Sequence, residues 1–268
     1  MTNNFKIPKI VHYCWFGNKE KPLIIREIMK SWCKLKDYQF IEWNEKNTEI
    51  KSNKYLYQAY SLKKYAFVSD YVRLKVLFEY GGIYLDTDVK VHKSFDNLLN
   101  NEMFLSFIFD GLIGTAVIGS IPKHPIISDL INWYEKIEFI DDTLSGFIIK
   151  GESDRILYNN NDIFTLYFLK KYPGFKLKSC KQVFDKVTIY PAYYFEKIPP
   201  FIFCKNYALH YGYGSWREDN LFVFSKKKER IKSFCRLLPL NPVGIYHQLL
   251  SKNMMKKTPF YDIYLHQI

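Results

Sequence analysis

Cysteine is scarce in this 268-residue chain: Cys14, Cys33, Cys180, Cys204 and Cys235 are odd in number, far apart and never in a Cys-x-x-Cys pair. Such a set frames neither a disulfide scaffold nor a zinc site, and it suits a reducing compartment. A run of about 18 apolar residues is also missing, so no spanning helix is expected. The first thirty residues lack the basic start and apolar stretch of a signal peptide, and a cytosolic protein is therefore expected. Arginine is rare within a basic chain. Of 39 Lys+Arg, only Arg26, Arg73, Arg155, Arg217, Arg230 and Arg236 are arginine. Because arginine is the better bidentate reader of guanine and phosphate, nucleic-acid recognition is not expected. No internal repeat is visible.

What remains is an ordinary globular composition, 48% hydrophobic and 25% charged, which excludes intrinsic disorder and supports one large domain or two small ones. The aromatic share is 18%. Rings in such number fill cores, and some line sites that stack on sugars or bases. The net charge is +12.

Along the chain, Lys9 to Phe16 is a β-branched and aromatic run ending at Gly17, which predicts a buried first strand. Leu23, Ile24, Ile28 and Trp32 recur at helical spacing between Pro22 and Leu35, and Tyr38 to Trp43 returns to strand character, giving a βαβ opening. A second helix is predicted from Lys63 to Tyr80 with a stop at Gly81. After Gly82 comes a buried strand, Ile83 to Val89, that carries two acids near its end. Strands over Met103–Phe109 and Leu112–Ile118, helices over Pro125–Lys136 and Ile163–Tyr172, and a last strand over Phe201–His210 complete the pattern. A glycine-punctuated loop, Tyr211 to Trp216, follows.

The tail differs in kind. Between Lys226 and Lys257 there are nine basic residues against the single acid Glu229. Ile231, Phe234, Cys235 and Leu238 follow helical spacing, so a basic amphipathic helix is predicted. Such a helix either lies on an anionic membrane surface or packs its apolar side on the main domain. The predicted division is a domain over residues 1–225 and a basic helical extension over 226–268.

The acids at the end of the strand carry the chemistry. With 14 aspartates in 268 residues, chance supplies about 0.7 Asp-x-Asp pairs, so spacing alone is no evidence. The setting is: Asp86 and Asp88 stand at the carboxyl end of an apolar strand entered through Gly81-Gly82, where α/β sheets place ligand sites. Two carboxylates held together repel unless a cation joins them, and an oxygen-only set suggests Mg2+ or Mn2+ shared with a diphosphate. Asp70 and Arg73, one helical turn apart, form a charge pair on a partly apolar face, which reads as a ligand contact or a local ion pair.

The block Ser69-Asp70-Tyr71-Val72-Arg73 with Tyr80-Gly81-Gly82-Ile83-Tyr84-Leu85-Asp86-Thr87-Asp88-Val89 resembles the central motif of the family 32 sugar transferases with a DXD motif, of the capsular polysaccharide synthesis type. It is similar, too, to the catalytic domain of the large clostridial glucosylating toxins. The opening Ile7 to Gly17 and the closing His210 to Trp216 extend the likeness over about 210 residues. The resemblance implies an α/β fold of GT-A type, a Rossmann-like mixed sheet flanked by helices. It implies a nucleotide-sugar donor, with a UDP-sugar favoured, and Mn2+ or Mg2+. By motif, Trp15 stacks on the base, Ser69, Asp70 and Arg73 face the donor sugar, and Tyr84 flanks the nucleotide. Asp86 contacts ribose and metal, Asp88 ligates the metal, His210 is a further metal or phosphate ligand, and Ser215 and Trp216 close on the diphosphate. The family retains anomeric configuration, and front-face attack by the acceptor is expected.

The function expected is that of a bacterial glycosyltransferase building a surface polysaccharide on a glycan acceptor, lipid-linked, with the basic tail on the inner membrane. Three rivals differ in class. A haloacid-dehalogenase phosphatase also uses Asp-x-Asp, but needs Thr or Val two residues later, where this chain has Lys90. A basic nucleic-acid or membrane-binding module accounts for the charge and not for Asp70 to Asp88. A toxin-like enzyme that glycosylates a protein keeps the chemistry and changes the acceptor.

Overall fold

The computed structural model describes residues 5–108, 111–198, 206–213 and 242–267. The amphipathic helix predicted over 226–238, together with Ser215 and Trp216, lies outside these residues. The expected βαβ opening is present: β1 (Ile10–Cys14), α1 (Leu23–Met29) and β2 (Gln39–Trp43), with the two strands parallel. The predicted helix over 22–35 tightens at Met29 into a 3-10 segment, Lys30–Lys34, which buries Trp32 and lets its indole donate to the Val89 carbonyl.

Two helices, α2 (Lys54–Ser61) and α3 (Tyr65–Tyr80), then lead to β3 (Gly82–Leu85), which pairs parallel to the other edge of β1. Strand order places β1 between β2 and β3. The chain therefore leaves β1 to one side and later returns to the opposite side, which opens a crevice beyond the carboxyl ends of β1 and β3. Gly81 (φ +65) and Gly82 (φ +98) make the entry to β3. A Cβ on Gly82 would stand 2.6 Å from the Ile10 carbonyl oxygen, so only glycine brings the two strands this close.

The strand predicted over Ile83–Val89 is in fact two. It ends at Leu85, Asp86 to Asp88 turn, and β4 (Val89–Val91) joins a separate ribbon with β12 (Ala208–His210). The Asp86 amide still donates to Ala116, but the Val89 amide folds back on the Asp86 carbonyl, and this turn takes the chain out of the main sheet.

The main sheet is completed by β5 (Met103–Phe107), β6 (Ile113–Ser120), β10 (Gln182–Phe184) and β11 (Val187–Tyr190) in the order β10-β11-β5-β6-β3-β1-β2. Three of its pairings are parallel and three antiparallel, the mixed sheet expected. Alternation sorts its side chains: Ile83, Leu85 and Phe104 enter one apolar layer with Val11 and Trp32, while Tyr84, Met103, Leu105 and Phe107 enter the other with α3. Into this second layer also pack α4 (Pro125–Tyr134), α5 (Asn160–Lys171) and a small sheet of β7 (Ile137–Phe139), β8 (Phe147–Ile149) and β9 (Ser153–Leu157). Helix α2, the small sheet and the β10–β11 hairpin have no counterpart in the pattern read from sequence. At the chain's far end are α6 (Pro242–Met255) and α7 (Tyr261–Gln267), and Met255, Phe260 and Tyr264 are buried in the same layer. Arg155 holds Asp262 bidentately, both bonds 2.8 Å.

His12, fully buried in β1, is the strut behind the site. The Trp43 indole can only donate, and it does so to His12 Nδ1 (3.1 Å), so Nε2 carries the proton and donates to the Gly81 carbonyl (2.9 Å). Burial lowers its pKa to about 4 against the opposing Gly81 bond, and the ring is neutral at pH 7. Between about pH 6.5 and 4 the unfolded chain binds this proton and the folded chain does not, so stability is complete above pH 6.5 and is lost as pH falls toward 4. Urea unfolding at pH 7.5 and 4.5 should show a loss of about 2–3 kcal/mol from this residue. The His12→Gln variant, which offers a donor and an acceptor without titrating, should lack that component; equal losses in both proteins refute the assignment.

Candidate functional site

A cleft of about 1250 Å3 opens at the carboxyl ends of β1 and β3, large enough for a nucleotide sugar with space for an acceptor. Trp15, Ser69, Asp70, Arg73, Tyr84, Asp86, Asp88 and His210 all line it. These residues, singled out from sequence, are thus brought to one place. Trp15 follows β1 directly, half-buried, with its indole donating to the Lys19 carbonyl (2.6 Å).

Arg73 organises the inner wall. It reaches from α3 to donate to the Thr115 carbonyl on β6 (2.7 Å) and the Ser69 carbonyl (3.2 Å), and it pairs with Asp70 (2.8 Å) and Asp86 (3.4 Å). Its guanidinium lies 4.5 Å from the Tyr84 ring centre, and the Tyr84 hydroxyl donates to Asp86 (3.0 Å). The expectation that Asp70 and Arg73 pair one turn apart is met, and the pair is buried. Burial raises the Asp70 carboxyl to about 7, against the pull of Arg73, with the neighbouring Asp86 charge adding to the rise. Asp86 is raised for the same first reason, with Arg73 opposing.

The outer wall is a chain of three groups. Asp88 faces His210 Nε2 (3.3 Å) and accepts from the Tyr213 amide (2.7 Å); His210 Nδ1 bonds Glu196 (2.7 Å). Burial alone would raise the Asp88 carboxyl, but His210 and the Tyr213 amide outweigh it and hold it below the ordinary value. Burial would likewise lower His210, yet the Asp88 and Glu196 carboxylates on either side raise it well above a free imidazole. The β4–β12 ribbon makes this possible, because it sets His210 opposite Val89, one residue from Asp88.

Ligand atoms of Asp86, Asp88 and His210 lie within 4.8 Å of one another. Two carboxylates and one imidazole form a donor set that suits a hard or borderline divalent cation such as Mg2+ or Mn2+. Asp86 and Asp88 come together because the turn between them replaces an extended strand, in which they would also share a face but could not meet His210.

Two contributors escaped the sequence reading. Glu196 lies 14 residues before its histidine and has no local signature; it is buried against Gly114, where a Cβ would come within 2.5 Å of its carboxylate. Asn160 opens α5, three residues earlier than predicted. The Asn159-x-x-Asp162 capping pattern, in which the Asn159 side chain accepts from the Asp162 amide, was the available sign. Asn160 Oδ1 accepts from Tyr134 (2.7 Å), and its Nδ2 lies toward the Asp70 carboxyl, where it slightly opposes the rise caused by burial without completing a hydrogen bond of normal geometry.

Cys14, also on the cleft wall, is no nucleophile: burial pushes its thiol up to about 12.

Comparison with known proteins agrees with this geometry. Residues 24–105, which contain Asp70, Arg73, Asp86 and Asp88, match the family described as a glycosyltransferase sugar-binding region containing a DXD motif. The chain is 28% identical over 144 residues to mannosyl phosphorylinositol ceramide synthase CSH1 of Saccharomyces cerevisiae, 48% of this chain and 37% of that protein. It is 25% identical over 226 residues to the glycosyltransferase L373 of Acanthamoeba polyphaga mimivirus, covering 78% and 84%. Among solved structures, the PaToxG glycosyltransferase aligns with a TM-score of 0.44 at 20% identity, over 63% of this chain and 70% of that one. The chain spans well under half the length of the yeast relative. The class of enzyme that the family match and the sequence relatives support is a glycosyltransferase.

If Glu196 fixes the tautomer that presents His210 Nε2, Glu196→Gln should weaken Mn2+ binding by about 10–100-fold. Electron paramagnetic resonance of free Mn2+ measures this, and a Tm within a few degrees of wild type excludes unfolding. Unchanged affinity would remove Glu196 from the site.

Proposed function

We propose that the chain is a metal-dependent, retaining glycosyltransferase that moves a sugar from a nucleotide-sugar donor, a UDP-sugar, to a lipid-linked glycan acceptor. The observation that carries the reading is the meeting of Asp86, Asp88 and His210 beside the buried Asp70–Arg73 pair, with both DXD acids and the pair inside the segment matched as a DXD sugar-binding region. A divalent cation held by Asp86, Asp88 and His210 would supply charge neutralisation for the departing diphosphate, the largest need of this chemistry. Arg73 fixes the orientation of Asp70 and Asp86, and the Asp70–Arg73 pair presents polar atoms to the donor sugar. Trp15 offers a ring at the mouth for the base. Water exclusion falls to the buried walls, Tyr84 and the Asn160 end of α5.

Retention is supported by the resemblance to the family 32 transferases, and the carboxylates present bear on the route by which it would occur. Among the described residues lining the cleft they are Asp70, Asp86, Asp88 and Glu196. Asp86 and Asp88 belong to the cation, Glu196 is spent on His210, and Asp70 is paired with Arg73, which leaves none placed as a free nucleophile. Attack by the acceptor hydroxyl on the face the diphosphate leaves is therefore the reading favoured, and inversion in a stereochemical assay would overturn it.

The acceptor is read from two supports: the yeast relative's name places its product on a ceramide, and the tail is basic. The central block's likeness to capsule-type transferases supports a place in bacterial surface polysaccharide synthesis at the cytoplasmic face of the inner membrane. The test is a thermal-shift screen of UDP, GDP and CMP, with and without Mn2+, on wild type and Asp88→Asn. Stabilisation by UDP of a few degrees, present only with Mn2+ and lost in the variant, is expected. No shift with any of the three nucleotides would overturn the reading.

A further inference from the structure

Helix α6 carries an apolar stripe on its outer side. Tyr246, Leu249, Leu250 and Met254 are 60%, 65%, 39% and 38% exposed, and their spacing of three and four residues puts them on one face. Scattered exposed leucines need no explanation, but four large apolar side chains aligned over more than two turns do. The helix is too short and too mixed to cross a bilayer. It ends beside exposed Lys256 and Lys257, and it belongs to the stretch from Lys226 to Lys257 that holds nine basic residues and one acid. An apolar stripe flanked by lysine is the make-up of a helix that lies in an anionic lipid surface, each lysine near the surface adding to the attraction.

The fold places the foot of this helix near the cleft. Met255, the last residue of α6, is buried with Leu177 against Gly111, just before β6 begins. The start of β6 is at the carboxyl end of β3: Leu85 pairs with Val117, and Arg73 reaches Thr115. The helix is thus rooted at the end of the sheet where the cleft opens. Its root is firm, because Phe260 and Tyr264 are buried just beyond it, Arg155 clamps Asp262, and Gln267 bonds the backbone at Leu177 (2.7 Å).

We propose that the Tyr246–Met254 stripe of α6 seats the protein on an anionic lipid surface with the cleft facing the bilayer. The consequence, that a lipid-linked acceptor is delivered to the cleft from the membrane plane, rests on the glycosyltransferase reading; vesicle binding does not.

The experiment is co-sedimentation of the full chain with phosphatidylcholine vesicles, with and without 30 mol% phosphatidylglycerol. Its variants are Leu249→Glu/Leu250→Glu on the stripe and Asp88→Asn in the cleft. Expected is binding to the anionic vesicles, at least tenfold weaker for the stripe variant and unchanged for Asp88→Asn. The UDP and Mn2+ thermal shift of the stripe variant should equal that of wild type. Both leucines are exposed, so the variant should fold, and an unchanged Tm checks this. Equal binding by the stripe variant, or no binding of wild type to either vesicle, overturns the proposal. So does a wild-type dimer that the double substitution turns into a monomer without altering vesicle binding, because the stripe is then an interface between two copies. A failed nucleotide shift with intact vesicle binding would instead overturn the enzymatic reading alone.

Discussion

One buried guanidinium ties the site together. Arg73 is 4% exposed and spends its donors on two carbonyls and two carboxylates from three separate elements, with the Tyr84 ring against its flat face. A buried cation of this kind is tolerated only when its donors are satisfied, and removing a partner leaves an uncompensated charge. The geometry of α3, β3 and β6 is therefore held from the inside by the same group that positions Asp70 and Asp86. Stability and readiness for a ligand are coupled at this point.

Around this centre the charges are graded. Burial favours the neutral forms of Asp70 and Asp86, whereas His210 and a backbone amide favour the carboxylate of Asp88. Asp70 is matched to the arginine and Asp88 to the histidine, while Asp86 stands between them, paired with Arg73 and within 4.8 Å of Asp88 and His210, roles separated by surroundings rather than by residue type. The outer group depends on long-range contacts: the β4–β12 ribbon brings in His210, and Glu196 steadies the histidine from behind.

The fold shows how far local pattern reaches. The βαβ opening, helix α3 and its Gly81 stop were legible because each is written in neighbouring residues: an apolar period, a β-branched run, a glycine where the backbone needs positive φ. Asp70, Arg73, Asp86 and Asp88 were legible for the same reason, since they fall within 19 consecutive residues that hold a helix, a stop and a strand. Helix α2 and the small sheet β7–β9 were not. Their strands are three to five residues long, and their stability comes from Phe147, Ile149 and Leu157 packing into the core rather than from alternation along the chain.

The residues that could do chemistry are legible in the chain: two aspartates after a buried strand, an arginine one turn beyond an aspartate, a basic tail. Which of them meet depends on how distant segments pack. Breaking the expected strand at Leu85 turned two acids on one strand face into a pocket, and that break depends on the Val89 amide folding back on the Asp86 carbonyl and on pairing with a strand more than a hundred residues away. The Glu196–His210–Asp88 chain, the Asn160 amide beside Asp70 and the stripe of α6 rooted at the cleft's end of the sheet likewise arise from contacts between distant segments. Hydrophobic period specifies local elements; a site is specified by which elements a common core forces together, and that information is spread over the whole chain.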